Sequence, residues 1–143
     1  MKPVIAVIAG VLIDLLGTIF FAVLMGFALG FYLLSQGVAQ NELEAVLTVR
    51  ITQAPWNIFL IALGTAISVL AGYVTARIAK HGVYTCAGIV GCISGGFGYS
   101  TGIDQYSVPL GISLVLLTIV ATVFGAFLWL RNNPPSVTTM PTQ

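Results

Sequence analysis

The sequence predicts an all-α polytopic membrane protein with four transmembrane helices in one bundle and a short surface helix in the first loop. Three observations carry the prediction. Hydrophobic residues make up 58% of the chain and charged residues only 6%, against about 25% charged in ordinary soluble domains, so there is too little polar surface to face water. The stretch from Val4 to Leu34 holds a single charge, Asp14, and exceeds the about 20 apolar residues that a bilayer crossing requires. Three further apolar spans follow at 55–79, 83–98 and 109–130, and polar connections separate them.

Lys2 ahead of an apolar run imitates a secretory signal. The run is too long for one, it contains Asp14 and it lacks a clean small-x-small cleavage site, so a retained first helix over 4–34 is expected. As a helix it measures roughly 46 Å against a hydrocarbon core of about 30 Å, so it must tilt, bend or protrude. Gly10 and Gly17 flank Asp14 on one face, and Gly26 and Gly30 form a separate GxxxG step. Small residues at such spacing let helix backbones approach, so all four are expected to pack against neighbours.

In the connection that follows, Asn41 with Glu44 three residues on reads as a helix N-cap, and Ala45, Val46 and Val49 form an apolar stripe. Pro55 suits a first helical position and Trp56 a membrane interface, so they open the second span. Along that span Gly64, Ser68, Gly72 and Ala76 recur every fourth residue as a groove for another helix. Arg77, Lys80 and His81 close it, and His81 has no metal-ligand companion nearby in sequence.

The third span is short and glycine-rich. Gly88, Gly91 and Gly95 are expected to seat neighbouring helices, while Ser94–Gly98 either stays helical or frays inside a protein-lined space. Cys86 and Cys92 would sit about 9 Å apart along a helix, beyond the roughly 7 Å limit for a disulfide. A polar turn containing Asp104 leads to Pro109, which starts the last span. Trp129 and Arg131 mark its far interface, and residues 132–143 form a flexible polar tail with three prolines. Residues 1–131 thus make one transmembrane domain.

Four spans put Lys2, Arg77, Lys80 and Arg131 on one side and only Arg50 on the other. By the positive-inside rule both termini are cytoplasmic in a plasma (inner) membrane. A net charge of +1 with no Lys/Arg run excludes a nucleic-acid partner. The expected partners are the lipid bilayer and either a second copy of the chain or another membrane subunit.

Two resemblances attach to particular residues. Gly72 to Lys80, followed by a glycine-rich third helix, resembles a pattern met in small uncharacterised bacterial four-helix membrane proteins. Ile13-Asp14-Leu15-Leu16-Gly17-Thr18 is similar to the first helix of the small multidrug resistance transporters, in which an embedded acid is followed by glycine at the third position and threonine at the fourth. That resemblance implies a proton- and cation-binding role for Asp14 alone. Aspartate stands where that family has glutamate, its third-helix aromatic motif is absent, and the first loop is longer.

Asp14 also stands out on physical grounds. An acid near a helix centre costs about 2.5–3.5 kcal/mol on insertion scales, so it faces a bundle interior or a wet cavity. Counted from the cytoplasmic ends, Asp14, Ser68, Ser94 and Thr122 all fall at a depth of roughly 15 Å. Either they share a hydrogen-bonded polar layer, or the hydroxyls bond their own helix carbonyls. No nucleophile, base and orienting group are assembled, so no enzymatic activity, cofactor or metal is expected. Two functions remain. One is a non-enzymatic packing or accessory subunit acting through small-residue helix faces; the other is a small proton-coupled transporter using Asp14. A dry midplane favours the first, and a polar cavity reaching Asp14 the second.

Overall fold

Long apolar runs broken only by glycine, proline or polar stretches leave little choice but helix. The computed structural model describes residues 2–79, 81–102 and 107–134. It shows α1 (Lys2–Ser35), α2 (Leu43–Thr52), α3 (Trp56–Ala79), α4 (Val83–Gly102) and α5 (Val108–Asn132), with no strand among the described residues. Three of them, α1, α3 and α5, are long and apolar enough to cross a membrane.

Local chemistry explains the ends. The N–H of Val38 donates to Leu33 O (3.2 Å) and that of Gly37 to Leu34 O (3.0 Å). This paired reverse bonding caps the last carbonyls of α1 and needs a left-handed residue, which Gly37 supplies at φ 87°. Gly82 at φ 60° turns the chain from α3 into α4.

α4 extends past the expected boundary at residue 98, with Ser94–Gly98 helical throughout. Ser100 Oγ and Thr101 Oγ1 donate back to Gly96 O (2.9 Å) and Phe97 O (3.1 Å). Gly95 meanwhile rests against Val115 of α5. Packing thus outweighs a helix penalty of about 1 kcal/mol for each glycine.

α2 starts at Leu43 after Glu42, without a side-chain cap from Asn41. Leu43, Val46 and Leu47 are half-buried, with Leu43 and Leu47 facing α1, while Ala45 is exposed and Val49 is 54% exposed. The inward stripe therefore keeps Val46 of the one expected and takes Leu43 and Leu47 in place of Ala45 and Val49.

α3 packs along both α5 and α1, α4 along both α5 and α1, and α3 meets α4. Among the described residues α1 and α5 do not touch, so they occupy opposite corners with α3 and α4 between them. The core is built of small residues. Ala6, Ala71, Thr75, Ala76, Ala87, Val90, Thr122 and Ala126 are wholly buried, whereas Ile5, Ile8, Leu12, Leu16, Phe20, Phe27 and Phe31 stand exposed along the outside of α1.

Glycine sets the approach of the helices. A Cβ on Gly72 would overlap backbone atoms of Thr122, and one on Gly125 would overlap Val69 O. A Cβ on Gly91 would lie 2.7 Å from Ile119 Cα, and one on Gly17 would lie 2.9 Å from Ile67 Cγ2. Gly10 faces Thr75 and Val90.

Gly26, Gly30, Gly64 and Gly88 depart from the expected packing, since a Cβ on any of them would meet nothing within 4 Å. For Gly26 and Gly30 the reason is length. α1 has 34 residues and α4 has 20, or about 51 and 30 Å. With Gly10 beside Val90, the end of α4 reaches only about the level of Ala22. Beyond it Gly26 and Gly30 border an apolar groove with Phe27, Phe31, Leu43 and Leu47. Gly26→Ala and Gly30→Ala should therefore be neutral or stabilise by about 0.5–1 kcal/mol through helix propensity. Gly10→Ala should destabilise by about 1–3 kcal/mol. Denaturant titration of the detergent-solubilised protein, followed by circular dichroism, checks both.

Candidate functional site

Asp14 is 3% exposed. It shares a helical stripe with Ala6, Gly10 and Gly17, and Gly10 and Gly17 bring α1 onto α3 and α4. From α3, Ser68 Oγ donates a 2.8 Å hydrogen bond to Asp14 Oδ1. No other hydrogen bond to this carboxyl is present among the described residues.

The pair borders a cavity of about 190 Å³. α1 contributes Asp14 and Thr18, α3 Gly64 and Ser68, α4 Ser94, Gly95, Gly98 and Tyr99, and α5 Gly111, Leu114, Val115 and Thr118. Four of these are glycines, which offer no side chain to fill the space, and α1 and α5 leave a gap across it. Toward the N-terminal end of α1 the bundle closes immediately, where Gly10 meets the wholly buried Thr75 and Val90. The cavity therefore extends from Asp14 only toward the end of the bundle where α4 finishes and α5 begins.

The four hydroxyl and carboxyl residues expected in one layer separate into two groups. Asp14, Ser68 and Ser94 line the cavity. Thr122 does not; its Oγ1 donates to Thr118 O (3.1 Å) and Ile119 O (2.9 Å) of its own helix, beside Gly72 and Gly91. Its place at the cavity is taken by Thr118, one turn along α5. Counting residues from the ends of spans ignores how far one helix slides along another, and here that shift amounts to about one turn. Thr18 enters the sequence reading only within the motif around Asp14, with no role of its own, and Tyr99 and Thr118 are not among the expected site residues. The four-residue step from Asp14 to Thr18 was a signal for the first, and nothing local marks Tyr99.

Ser94 differs from its neighbours. Its Oγ is the only buried side-chain polar atom without a hydrogen-bond partner among the described residues. Most buried hydroxyls find partners, and an unpaired one calls for an explanation.

Among the described residues no Lys, Arg or His borders the cavity, and Arg77 is exposed about 14 Å along α3 from Ser68. Among the described residues no three His, Cys, Asp or Glu side chains come together to hold a metal ion. Cys86 and Cys92 are free thiols, the first buried and the second exposed. Among the described residues the site is thus one carboxyl with hydroxyls on an otherwise apolar wall. Set against family models, curated proteins and solved structures, the chain matches none.

Proposed function

We propose that this protein is an integral membrane protein that holds a small solute in the Asp14 cavity and exchanges it for a proton. The observation that carries the reading is the cavity itself: the space around Asp14 is bordered by a carboxyl and hydroxyls instead of being filled by side chains. An embedded carboxylate facing such a space is the usual element of proton-coupled carriers.

The membrane setting rests on the large apolar side chains along the outside and on the three long apolar helices. α4 serves as the fourth span. Its 20 residues cover about 30 Å, and it packs against α1, α3 and α5, with Gly91 and Gly95 seated on α5. Both termini lie in the cytoplasm by the distribution of Lys2, Arg77 and Arg131 against Arg50. Lys80, Asp104 and the tail beyond residue 134 lie outside the described residues. In a cysteine-free background, an impermeant thiol reagent added to whole cells should label Ala45→Cys and not His81→Cys. Labelling of His81→Cys would reverse the topology.

Water access to the site tests the function. Gly98→Cys in the same background should react with a small water-soluble thiol reagent, because Gly98 borders the cavity. An unreactive thiol there would mean a dry interior and would favour the accessory-subunit reading. That second reading has one observation behind it, the unpacked Gly26–Gly30 groove beside exposed Phe27 and Phe31. Its test is co-purification of a stoichiometric partner that is lost on Gly30→Leu.

A further inference from the structure

We propose that Tyr99 is the gate of the Asp14 cavity: its ring, seated on Gly111, leaves the mouth passable, and off that seat it closes the mouth and limits the size of solute admitted. This rests on reading the cavity as a solute site and adds how entry to it is controlled.

The seam between α4 and α5 supplies the seat. Gly91 meets Ile119, Gly95 meets Val115 and Gly111 meets Tyr99, successive contacts four residues apart on each helix. At the first two the glycine belongs to α4 and the large side chain to α5; at the last they change places. That last contact is the one nearest the end of α4 at Gly102 and the start of α5 at Val108, so it lies at the open end of the cavity. A Cβ on Gly111 would stand 2.7 Å from Tyr99 Cε2 and 2.8 Å from Cδ2, and the three atoms nearest to it all belong to the ring. The ring itself, and not the α4 backbone, rests on Gly111.

The mouth supplies the second argument. One turn out from Asp14, Ser68, Ser94, Leu114 and Val115, the cavity is bordered by Thr18, Gly64, Gly98, Tyr99 and Gly111. Three of these five are glycines and one is a threonine, so among the described residues Tyr99 is the one rim side chain long enough to reach across the opening. Room for it is present, since a Cβ on Gly64 or on Gly98 would meet nothing within 4 Å. A tyrosine in a helix has two favoured staggered positions about its first side-chain bond, and both lean toward the N-terminus of the helix. For Tyr99 that direction is inward, along the cavity wall toward Gly95.

The test is the rate at which Thr118→Cys, in the cysteine-free full chain, reacts with iodoacetamide and with the bulkier fluorescein maleimide. Thr118 borders the cavity about 10 Å further in along α5 than Gly111, so a reagent entering by the mouth must pass the rim. Gly111→Ala removes the seat and leaves the passable arrangement a minor state of about 0.1–10%, so it should slow iodoacetamide at least about tenfold. Tyr99→Ala added to Gly111→Ala should restore the rate, and Tyr99→Ala by itself should speed fluorescein maleimide. If Gly111→Ala does not fold, the rate of Tyr99→Ala with fluorescein maleimide decides. A wild-type rate in Gly111→Ala, a slow rate that Tyr99→Ala does not restore, or a fluorescein maleimide rate unmoved by Tyr99→Ala would overturn the proposal and leave the solute-site reading standing. Thr118→Cys unreactive in every background would also overturn it, and with Gly98→Cys unreactive as well the solute-site reading would fall too.

Discussion

Gly72→Leu should yield no stably folded protein, and Gly72→Ala should already be destabilised by more than about 3 kcal/mol. The atoms a new Cβ would strike are Thr122 O, C and Cα, all backbone, so no side chain can rotate out of the way. The crossing is also reciprocal, since one turn along α5 Gly125 faces Val69 O and Tyr73 N of α3. Relief would require separating α3 from α5 along the most extensive contact in the bundle. Overpacking costs about 1–3 kcal/mol where side chains can adjust, and a loss beyond that consumes much of a typical folding margin of about 5–15 kcal/mol. Gly64→Leu is the informative contrast. Its Cβ meets nothing within 4 Å and points to the cavity wall, so the variant should fold while occupying the solute space. Leu63→Ile should change stability by less than about 1.5 kcal/mol. Unfolding in detergent, with ligand titration on the folded variants, separates the three; a Gly72→Leu protein as stable as wild type would show that α3 and α5 do not cross so closely.

Asp14→Asn should preserve the fold and abolish proton exchange. The structural duty of the carboxyl is to accept from Ser68 Oγ, and the amide oxygen accepts equally well, so a stability change within about 1 kcal/mol is expected. What the amide lacks is a titratable proton. In proteoliposomes with an internal pH dye, a gradient of a solute that the wild type binds should drive proton movement with the wild type and none above the protein-free leak with Asp14→Asn. An Asn variant that does not fold would make the negative charge itself structural. One that still moves protons would place the proton on another group. Asp14→Leu should destabilise by about 1–3 kcal/mol, because Ser68 then loses its acceptor in a buried setting.

How much of this was legible beforehand differs from residue to residue. Asp14 was conspicuous as the one charge within a long apolar run, and Ser68 and Ser94 fell near its level by counting. Thr122 satisfied the same arithmetic and yet bonds its own helix. Gly10, Gly17, Gly72, Gly91 and Gly95 meet neighbours, whereas Gly26, Gly30, Gly64 and Gly88, in similar small-residue settings, face open space. Gly111, beside the Tyr99 ring, and Gly125 were read only as residues of an apolar span, though each sits against another helix.

The sequence by itself determined that the chain is helical, roughly where each helix lies and that Asp14 is the acid set within an apolar span. Hydropathy, helix signals and glycine turns act between residues a few positions apart, at a fixed rise along one axis. Only the tertiary structure decided that α1 outruns α4 by several turns, that α1 and α5 stand apart, and that a cavity opens between them with Ser94 unpaired at its wall. Those features depend on how helices slide and rotate against one another. The deciding contacts, Gly72 on Thr122 and Gly10 on Val90, join residues far apart in the chain, and no local periodicity encodes them.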